Sequence, residues 1–351
     1  LASATSFPSS GTVIIGTELI TYSSVSGNTL SGLTRGANGT TAAIHSSGAV
    51  VTEAAGYAGW GAAPSGDIVT APGLWSLDNF GNKLIATIFS GETFTWSSDA
   101  TDATATRAAL ASGAPTASRD MLVSTPDRHL VFFGTETTIG TKSSQDQMFI
   151  RFSSQEDITD YTPTAINSAG TQRLADGSRI MGALRGRNAI YVWTDTALFL
   201  MRFVGAPFTF AFEQVGTNCG LIGKNAAVEV DGTVYWMSEN GFFRYGGQLE
   251  SLPCLVEDFV FDDLNTVTKQ HVNAGLNNLF GEINWFYVSS GSNTVNRVVT
   301  YNYFDSSNDR PIWTTGTLDR TAWADSAIFG KPHATQYDTS TNGTSGSSTY
   351  I

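Results

Sequence analysis

Charged residues are scarce in this chain, and that scarcity limits the fold classes open to it. Only 14% of the 351 residues are Asp, Glu, Lys or Arg, against about 25% in an average soluble domain. Solvated helices normally carry such residues on their outer face, so we expect few exposed helices. The 36 glycines, with abundant Ser and Thr, favour short strands joined by many turns. A hydrophobic content of 41% excludes wholesale disorder.

Basic residues are fewer still. The 19 Lys and Arg are outnumbered by 31 Asp and Glu, which gives a net charge of -12. This balance argues against a protein that grips nucleic acid phosphates and against one that binds an anionic membrane surface. It fits a surface buried by neighbouring subunits, and it fits an ordinary acidic protein equally well.

Cysteine and long apolar runs are also lacking. Cys219 and Cys254 allow one disulfide at most, and we favour two small buried thiols. No apolar run approaches the ~18 residues of a membrane span, and no signal peptide is recognisable. Because the chain opens on Leu1 and closes on Ile351 after a run of Ser and Thr, we expect a fragment or processed chain of a longer product.

Residues 1–51 are predicted to form a small β module. Residues 12–16, 18–22 and 29–33 read as short strands, with a hairpin turn at 26–28. Residues 52–66 contain four glycines and a proline and read as a linker. We assign residues 67–351 to a second domain.

A repeat runs through this second domain. Each unit consists of a turn, an apolar strand, a second turn and a second strand, and units recur every 45 to 60 residues or so. The longest interval contains an inserted loop at 134–146. The unit starts are Gly81, Asp127, Gly186, Asp231, Phe280 and Gly330. Periods of about 40–50 residues are typical of propeller blades of four strands.

The sequence therefore predicts an all-β protein: a β-propeller of about six blades of four antiparallel strands, preceded by the small module. A β-sandwich with regular turns is the alternative, and it is less favoured because each unit contains two hairpins. The last unit is short, so the propeller is expected to be incomplete at its C-terminus. One short helix is predicted at 257–264.

A search for chemistry finds no catalytic, cofactor-binding or metal-binding residues, and we predict a protein that is not an enzyme. The histidines are widely spaced in sequence and read as surface or packed residues. Residues 216–224 approach a phosphate-binding loop, but Asn218 and Asn225 replace the required Gly and Ser or Thr. Residues 305–309 depart from calcium-loop spacing. The four histidines are His45, His129, His271 and His333.

Acidic pairs were considered as glycosidase carboxylates, because propellers host such enzymes. Neighbouring carboxylates on a strand point in different directions, so turn and capping roles are favoured. The candidates were Glu156, Asp157, Asp160, Glu257, Asp258, Asp262 and Asp263.

Aromatic residues recur at strand positions of the repeat. Packing between blades is the favoured role, and stacking on a sugar or base is the alternative. These residues are Trp96, Trp193, Tyr235, Trp236, Trp285, Phe286 and Tyr287.

Residues 150–290 resemble the tail nozzle proteins of short-tailed bacteriophages, also called tail tubular or packaged-DNA stabilisation proteins. The other blades resemble them in architecture only, and 7–51 resembles, more weakly, a β module of phage tail and adaptor proteins. The motifs that carry the resemblance are Arg-Phe-Ser-Ser-Gln-Glu-Asp at 151–157, Asp-Tyr-Thr-Pro at 160–163, Ser-Arg-Ile at 178–180, Trp-Thr-Asp-Thr-Ala-Leu at 193–198, Phe-Val-Gly-Ala-Pro-Phe at 203–208, Asn-Cys-Gly-Leu-Ile-Gly at 218–223 and Tyr-Trp-Met-Ser-Glu-Asn-Gly-Phe-Phe at 235–243.

The resemblance implies a structural protein of the virion tail, assembled as a hexameric ring below the portal and adaptor. Its partners would be further copies of itself, adaptor proteins, tail fibres and viral DNA, which would be retained and then conducted without sequence-specific binding. The family implies no catalytic residues or cofactors. The alternatives are a minor tail or baseplate protein of another phage type, and a carbohydrate-binding or carbohydrate-cleaving propeller.

Overall fold

The computed structural model describes residues 4, 7, 9–37, 40–53, 75–97, 108–125, 127–325 and 331–336. These residues fall into two compact units, one within 1–70 and one within 71–340. The division of the chain at 51 and 66 stays a prediction.

The N-terminal unit contains five short strands in two sheets. Strand β1 (Gly11–Ile15) pairs with β2 (Glu18–Tyr22) and with β5 (Thr52–Glu53), while β3 (Ser24–Ser26) pairs with β4 (Thr29–Ser31). Val13, Ile20 and Tyr22 alternate with half-buried positions and form a small core. The strand at 52–53 places part of the predicted linker within this sheet.

A buried carboxylate organises the same unit. Glu18 is fully buried, and its two oxygens accept hydrogen bonds from the Arg35 guanidinium at 2.6 Å, the Gly36 amide at 3.0 Å and the Ala43 amide at 2.9 Å. The His45 ring lies 2.7 Å away. The bond from Arg35, which outweighs the effect of burial, holds the pKa of Glu18 far below its ordinary value.

The second unit is a β-propeller. Its described residues contain five four-stranded antiparallel sheets, each in simple up-and-down order, which we call blades 1 to 5. The strands are β6–β9 (Trp75–Phe80, Lys83–Ile88, Thr93–Ser97, Ala109–Leu110), β10–β13 (Asp120–Ser124, His129–Phe133, Phe149–Phe152, Gly170–Arg173), β14–β17 (Ile180–Arg185, Ile190–Thr194, Ala197–Gly205, Thr209–Thr217), β18–β21 (Ala227–Val230, Thr233–Ser238, Gly241–Tyr245, Leu249–Leu252) and β22–β25 (Asn273–Asn277, Glu282–Tyr287, Arg297–Asn302, Trp313–Gly316).

A sixth sheet follows them. Strands β26 (Ala322–Ala324) and β27 (His333–Thr335) pair antiparallel, and the described residues supply these two strands of it. The predicted all-β propeller is thus confirmed. In the described part of the propeller, helix occurs at α1 (Glu257–Asp263), close to its predicted position, and in short 3-10 turns at Lys142–Ser144, Lys269–His271 and Asn278–Phe280. Among the described residues, no helix is long and apolar enough to cross a bilayer.

The sequence repeat matches the blades, shifted by one strand. Strands β7, β11, β15, β19 and β23, which open the predicted units, are the second strands of their sheets. The first and fourth strands escaped prediction because they lack a clear apolar alternation. Strand β22 reads Asn-Ala-Gly-Leu-Asn, and β13 reads Gly-Thr-Gln-Arg with mostly exposed side chains.

Hydrophobic clusters join each blade to its neighbour. One cluster spans blades 3 to 5, with Trp193 and Trp236 edge to face at 5.6 Å between ring centroids. Trp285 donates its indole N–H to the Ala226 carbonyl, just before blade 4, at 3.0 Å. Since one blade has two apolar faces, only stacked neighbours bury both.

Glycine permits one of the closest approaches between blades. A Cβ atom at Gly182, on the first strand of blade 3, would lie 2.7 Å from the Lys224 carbonyl oxygen. Because this neighbour is a backbone atom, the clash could be relieved only if the two blades moved apart.

Replacing Gly182 by Ala is expected to lower the free energy of unfolding by roughly 1–3 kcal/mol through overpacking. Gly291→Ala is the matched control, because a Cβ there would meet nothing within 4 Å. Chemical denaturation of both variants measures the difference. Equal stabilities would contradict the close-packing argument.

Replacing Glu18 by Gln is expected to speed hydrogen exchange at the Gly36 and Ala43 amides, which donate to it. Because folding depresses the Glu18 pKa, its stabilisation is present above the ordinary Glu pKa of about 4.3 and is lost as the pH falls below it. Amide protection in the wild type should therefore fall on acidification. Glu92→Gln, at an exposed position of blade 1, should leave both amides unchanged.

Candidate functional site

The first strands of the blades surround the axis of the propeller. Two adjoining cavities of about 260 and 290 Å³ lie there and share Ala183, Leu184, Lys224 and Asn225 as lining residues. One cavity extends to blades 1 and 2, and the other extends to blade 5 and to the sixth sheet. The described chain thus brings all six sheets to one small central space.

An ion pair crosses this space. Lys224 Nζ lies 3.0 Å from Asp120 Oδ1 in blade 2 and 3.3 Å from the Trp75 carbonyl oxygen in blade 1, and it also contacts Ser76 Oγ. Asp120 additionally accepts from Ser76 Oγ at 2.8 Å and from the Ala183 amide of blade 3 at 3.0 Å. Four parts of the propeller therefore meet at one carboxylate and one amine.

A second pair repeats the arrangement one blade earlier. Asp78 Oδ2, in blade 1, accepts from the Val123 amide of blade 2 and from Arg185 Nη1 of blade 3, both at 2.8 Å. Arg185 also donates to the Val123 carbonyl at 2.8 Å. In both cases, an Asp on one first strand binds the backbone N–H of the next first strand. These charges are paired within the protein, which indicates a structural role for the axis.

Strand order defines two ends of the propeller. Because every blade is an antiparallel meander, the turns between first and second strands and between third and fourth strands lie at the same end. We call this end the turn face. The connections between successive blades emerge at the opposite end.

The turn face carries most of the exposed large apolar side chains of the propeller. The third and fourth strands of blade 3, β16 and β17, are each nine residues long, against six or fewer elsewhere, and end in an apolar tip. Their long hairpin was not anticipated as a surface feature. The exposed apolar residues of the turn face are Ile166, Phe203, Val204, Phe208, Leu279, Phe280 and Phe304.

The opposite end is less apolar. Leu255, Phe259 and Val267 are its exposed large apolar residues within the blade 4 to blade 5 connection. On the turn face, Phe203, Val204 and Phe208 share one hairpin tip, and Leu279, Phe280 and Phe304 lie at one end of blade 5. Grouped exposed apolar side chains mark interaction surfaces more often than single scattered residues do. The turn face is therefore the candidate functional surface.

The acidic candidates take turn and ion-pair roles. Glu156 pairs with Arg128 at 3.2 Å, Asp157 accepts from the Thr159 amide at 2.8 Å, and Asp160 accepts from Asn167. Asp263 accepts from Arg297 at 3.1 Å. Glu257 and Asp258 lie in the first turn of α1, where negative charge is favourable. No three His, Cys, Asp or Glu residues converge on a possible metal position in the described ranges.

The cysteines are free thiols. Cys219 is buried and Cys254 is half-buried. Burial raises the pKa of Cys219 to about 11 and that of Cys254 to about 12, so both are protonated and unreactive near neutral pH.

The glycine-rich segment at 216–224 serves packing. A Cβ at Gly220 would lie 2.2 Å from the Asp195 carbonyl oxygen, and one at Gly223 would lie 3.1 Å from the Gln270 carbonyl oxygen. Lys224, the last residue of this segment, forms the ion pair with Asp120 at the axis. This agrees with the interpretation of these glycines as backbone requirements.

The strand tryptophans Trp193, Trp236 and Trp285 are fully buried, as are Phe286 and Tyr287. Packing between blades, the favoured interpretation, is confirmed for these residues.

The four histidines lie apart. His45 contacts Glu18 in the N-terminal unit, His271 and His333 are half-buried, and His129 is fully buried. His129 lies between Asp127 and Ser168, with which it forms a polar chain. No local sequence pattern predicts this group, because Ser168 is 39 residues from His129 and lies in a long loop.

Comparison with known proteins does not assign this chain to a family. No protein-family model and no curated protein matches the chain. Similar solved structures are propellers: Hsv2 of Kluyveromyces lactis (11% identity, 75% of this chain and 69% of that one, TM-score 0.38), Sqt1 of Saccharomyces cerevisiae (9%, 75% and 69%, 0.43) and BamB of Moraxella catarrhalis (13%, 75% and 79%, 0.37). At these identities and scores, the similarities say nothing about activity or partners.

Breaking the axial ion pair should destabilise the propeller. Lys224→Met leaves Asp120 uncompensated in a buried position, and Asp120→Asn does the same to Lys224, so each is expected to cost roughly 2–4 kcal/mol. The double variant should cost clearly less than the sum, because neither charge then remains unpaired. Denaturant titration of the three variants measures the coupling, and strict additivity would contradict a direct pairing.

Proposed function

We propose that this protein is a structural component of a phage tail, a ring-shaped nozzle that retains packaged double-stranded DNA and conducts it at ejection. The support comes from the motifs between 151 and 243 and from the propeller fold in which they lie. The proposal places the protein in the virion, with adaptor and fibre proteins as its neighbours. It gives the protein no catalytic role in this assembly.

The apolar turn face carries the proposal. The tip of the long hairpin, Phe203 to Phe208, coincides with one of the motifs that resemble nozzle proteins. Phe208 is 77% exposed and Val204 is 54% exposed. Apolar surface of this extent gains free energy when it is removed from water, at about 25 cal/mol per Å². A second copy of the same chain is the occupant that a ring requires.

The charge composition also suits a crowded ring. Subunit contacts are depleted of charged residues at their centres, and this chain has few to place there. An acidic channel wall would repel duplex DNA, which carries one negative charge per about 1.7 Å. DNA would then pass without the many phosphate contacts that make a basic channel adhesive. The net charge of -12 is compatible with such a wall.

The carbohydrate-binding alternative would need Trp side chains in an open pocket. Trp193, Trp236 and Trp285 are enclosed in the core instead, so none of them offers a stacking surface. A minor tail or baseplate role would use the same fold, and it differs from the nozzle in its symmetry.

Particle mass and symmetry test the proposal. Mass photometry of the purified chain, followed by class averages from electron microscopy, should reveal a six-fold ring. The ring should not bind short duplex DNA at about 0.1 M salt. A stable monomer, binding to glycan arrays, or a channel lined by Lys and Arg would each count against the nozzle.

Leu279→Asp should weaken the ring, because it places a charge on the turn face. Leu255→Asp, at the opposite end, is the matched control, since both leucines are 79% exposed. Burying an unpaired charge at an interface costs several kcal/mol, so the first variant should dissociate at concentrations where the second stays assembled. The measurement is the mass distribution at a series of protein concentrations. If the two variants dissociate at the same concentration, the turn face is not part of the contact between subunits.

A further inference from the structure

A serine, a histidine and an aspartate form a linear chain of contacts at the turn-face end of blade 2. His129 Nδ1 lies 3.0 Å from Asp127 Oδ2, and His129 Nε2 lies 3.2 Å from Ser168 Oγ. Asp127 and His129 flank the start of the second strand, and Ser168 lies at the end of the loop before the fourth strand. The blade brings them together although they are distant in sequence.

The contact with Asp127 selects one tautomer of the neutral His129 ring. Burial opposes ionisation of Asp127, but the hydrogen bonds from His129 and from Ser124 Oγ, the latter at 2.7 Å, outweigh it and hold the pKa of this carboxyl below its ordinary value. A carboxylate at Nδ1 requires a proton on that nitrogen, so Nε2 of the neutral ring is the acceptor. The Ser168 hydroxyl then donates to Nε2. This is the tautomer in which an imidazole serves as a general base toward serine.

The surroundings protect the histidine and leave the serine nearer the surface. His129 is fully buried among the rings of Phe152, Phe203 and Phe210, with centroid separations of 5.1–6.2 Å. Ser168 is half-buried, and its Oγ accepts the Gln155 amide at 2.8 Å, which fixes the hydroxyl in position. Phe203 is itself 46% exposed. An accessible aromatic side chain thus borders His129.

We propose that Ser168, His129 and Asp127 form a serine nucleophile site for acyl transfer, with small carboxylic esters of apolar acyl groups as the substrate class. The site shares Phe203 with the turn face, and the activity is one that the proposed nozzle function does not require.

The chemistry follows the three contacts. Ser168 Oγ bonds to the ester carbonyl carbon while its proton passes to His129 Nε2, and Asp127 stabilises the resulting imidazolium. The bond to the alkoxy group then breaks, and the alcohol leaves with the proton from Nε2. Water, activated by the same nitrogen, attacks the acyl-serine and releases the carboxylic acid, which restores both side chains. No cofactor or oxidant is consumed.

An alkyl fluorophosphonate probe tests the site on the full chain. Attack by Ser168 would form an oxygen–phosphorus bond and expel fluoride, leaving a stable adduct detectable by intact mass and peptide mapping. One adduct per chain, on Ser168, is expected. Ser168→Ala should abolish it. Ser154→Ala is the matched control, because Ser154 lies half-buried in the same loop and accepts the Ser168 amide at 3.4 Å.

The Asp127→Asn variant distinguishes a catalytic role of Asp127 from a structural one. This variant keeps the shape of the side chain and favours the wrong tautomer, so labelling should slow about 100-fold or more. A purely structural role for Asp127 would leave the labelling rate of the folded variant unchanged. Circular dichroism verifies the fold of each variant.

An unmodified Ser168 in folded wild-type protein would overturn the proposal. A labelling rate unaffected by Asp127→Asn, or adducts spread equally over Ser154 and Ser168, would overturn it too. Measurement of ring mass on the same samples keeps this result distinct from the fate of the nozzle proposal, since either can fail alone.

Discussion

The propeller depends on the attachment of its first strands to one another around the axis. Asp120 contacts blade 3 through the Ala183 amide and the blade 4 entry through Lys224, and Asp78 contacts blade 2 through the Val123 amide. Asp120 is buried and Asp78 is half-buried at the point where the blades converge. An unpaired charge at this position would destabilise the folded state, so the ion pairs and the arrangement of the blades depend on each other.

Packing around this axis explains the composition of the chain. Blades approach closely where glycine replaces a side chain, as at Gly182, and they fill the wider space farther out with Trp193, Trp236 and Trp285. Charges are used mainly for fixed contacts and turns, which is why so few are needed. In the small N-terminal unit, too, a charged group makes fixed contacts: the five described strands lie near one buried carboxylate.

Both proposed functions involve the ends of the blades. The turn face combines an apolar hairpin suited to contact between subunits with a serine, histidine and aspartate held by blade 2. The two features share Phe203, whose ring packs 5.8 Å from His129 while nearly half of its surface stays exposed. A rigid sheet scaffold with variable connections permits both, because connections can change without disturbing the blade core.

Residue pattern alone was enough to identify the second and third strands of each blade, the period of the repeat and the all-β class, because apolar strands between turns leave a clear local signal. It also indicated buried aromatics and free thiols. The first and fourth strands left no such signal, since they lack a regular apolar alternation: Asp120–Ser124 is buried throughout, and Gly170–Arg173 is mostly exposed. Only the tertiary structure decided that Lys224 pairs with Asp120, that Ser168 meets His129, and that seven apolar residues share one end of the propeller. Those proximities arise from strand order and blade stacking, which bring together residues that no local pattern connects.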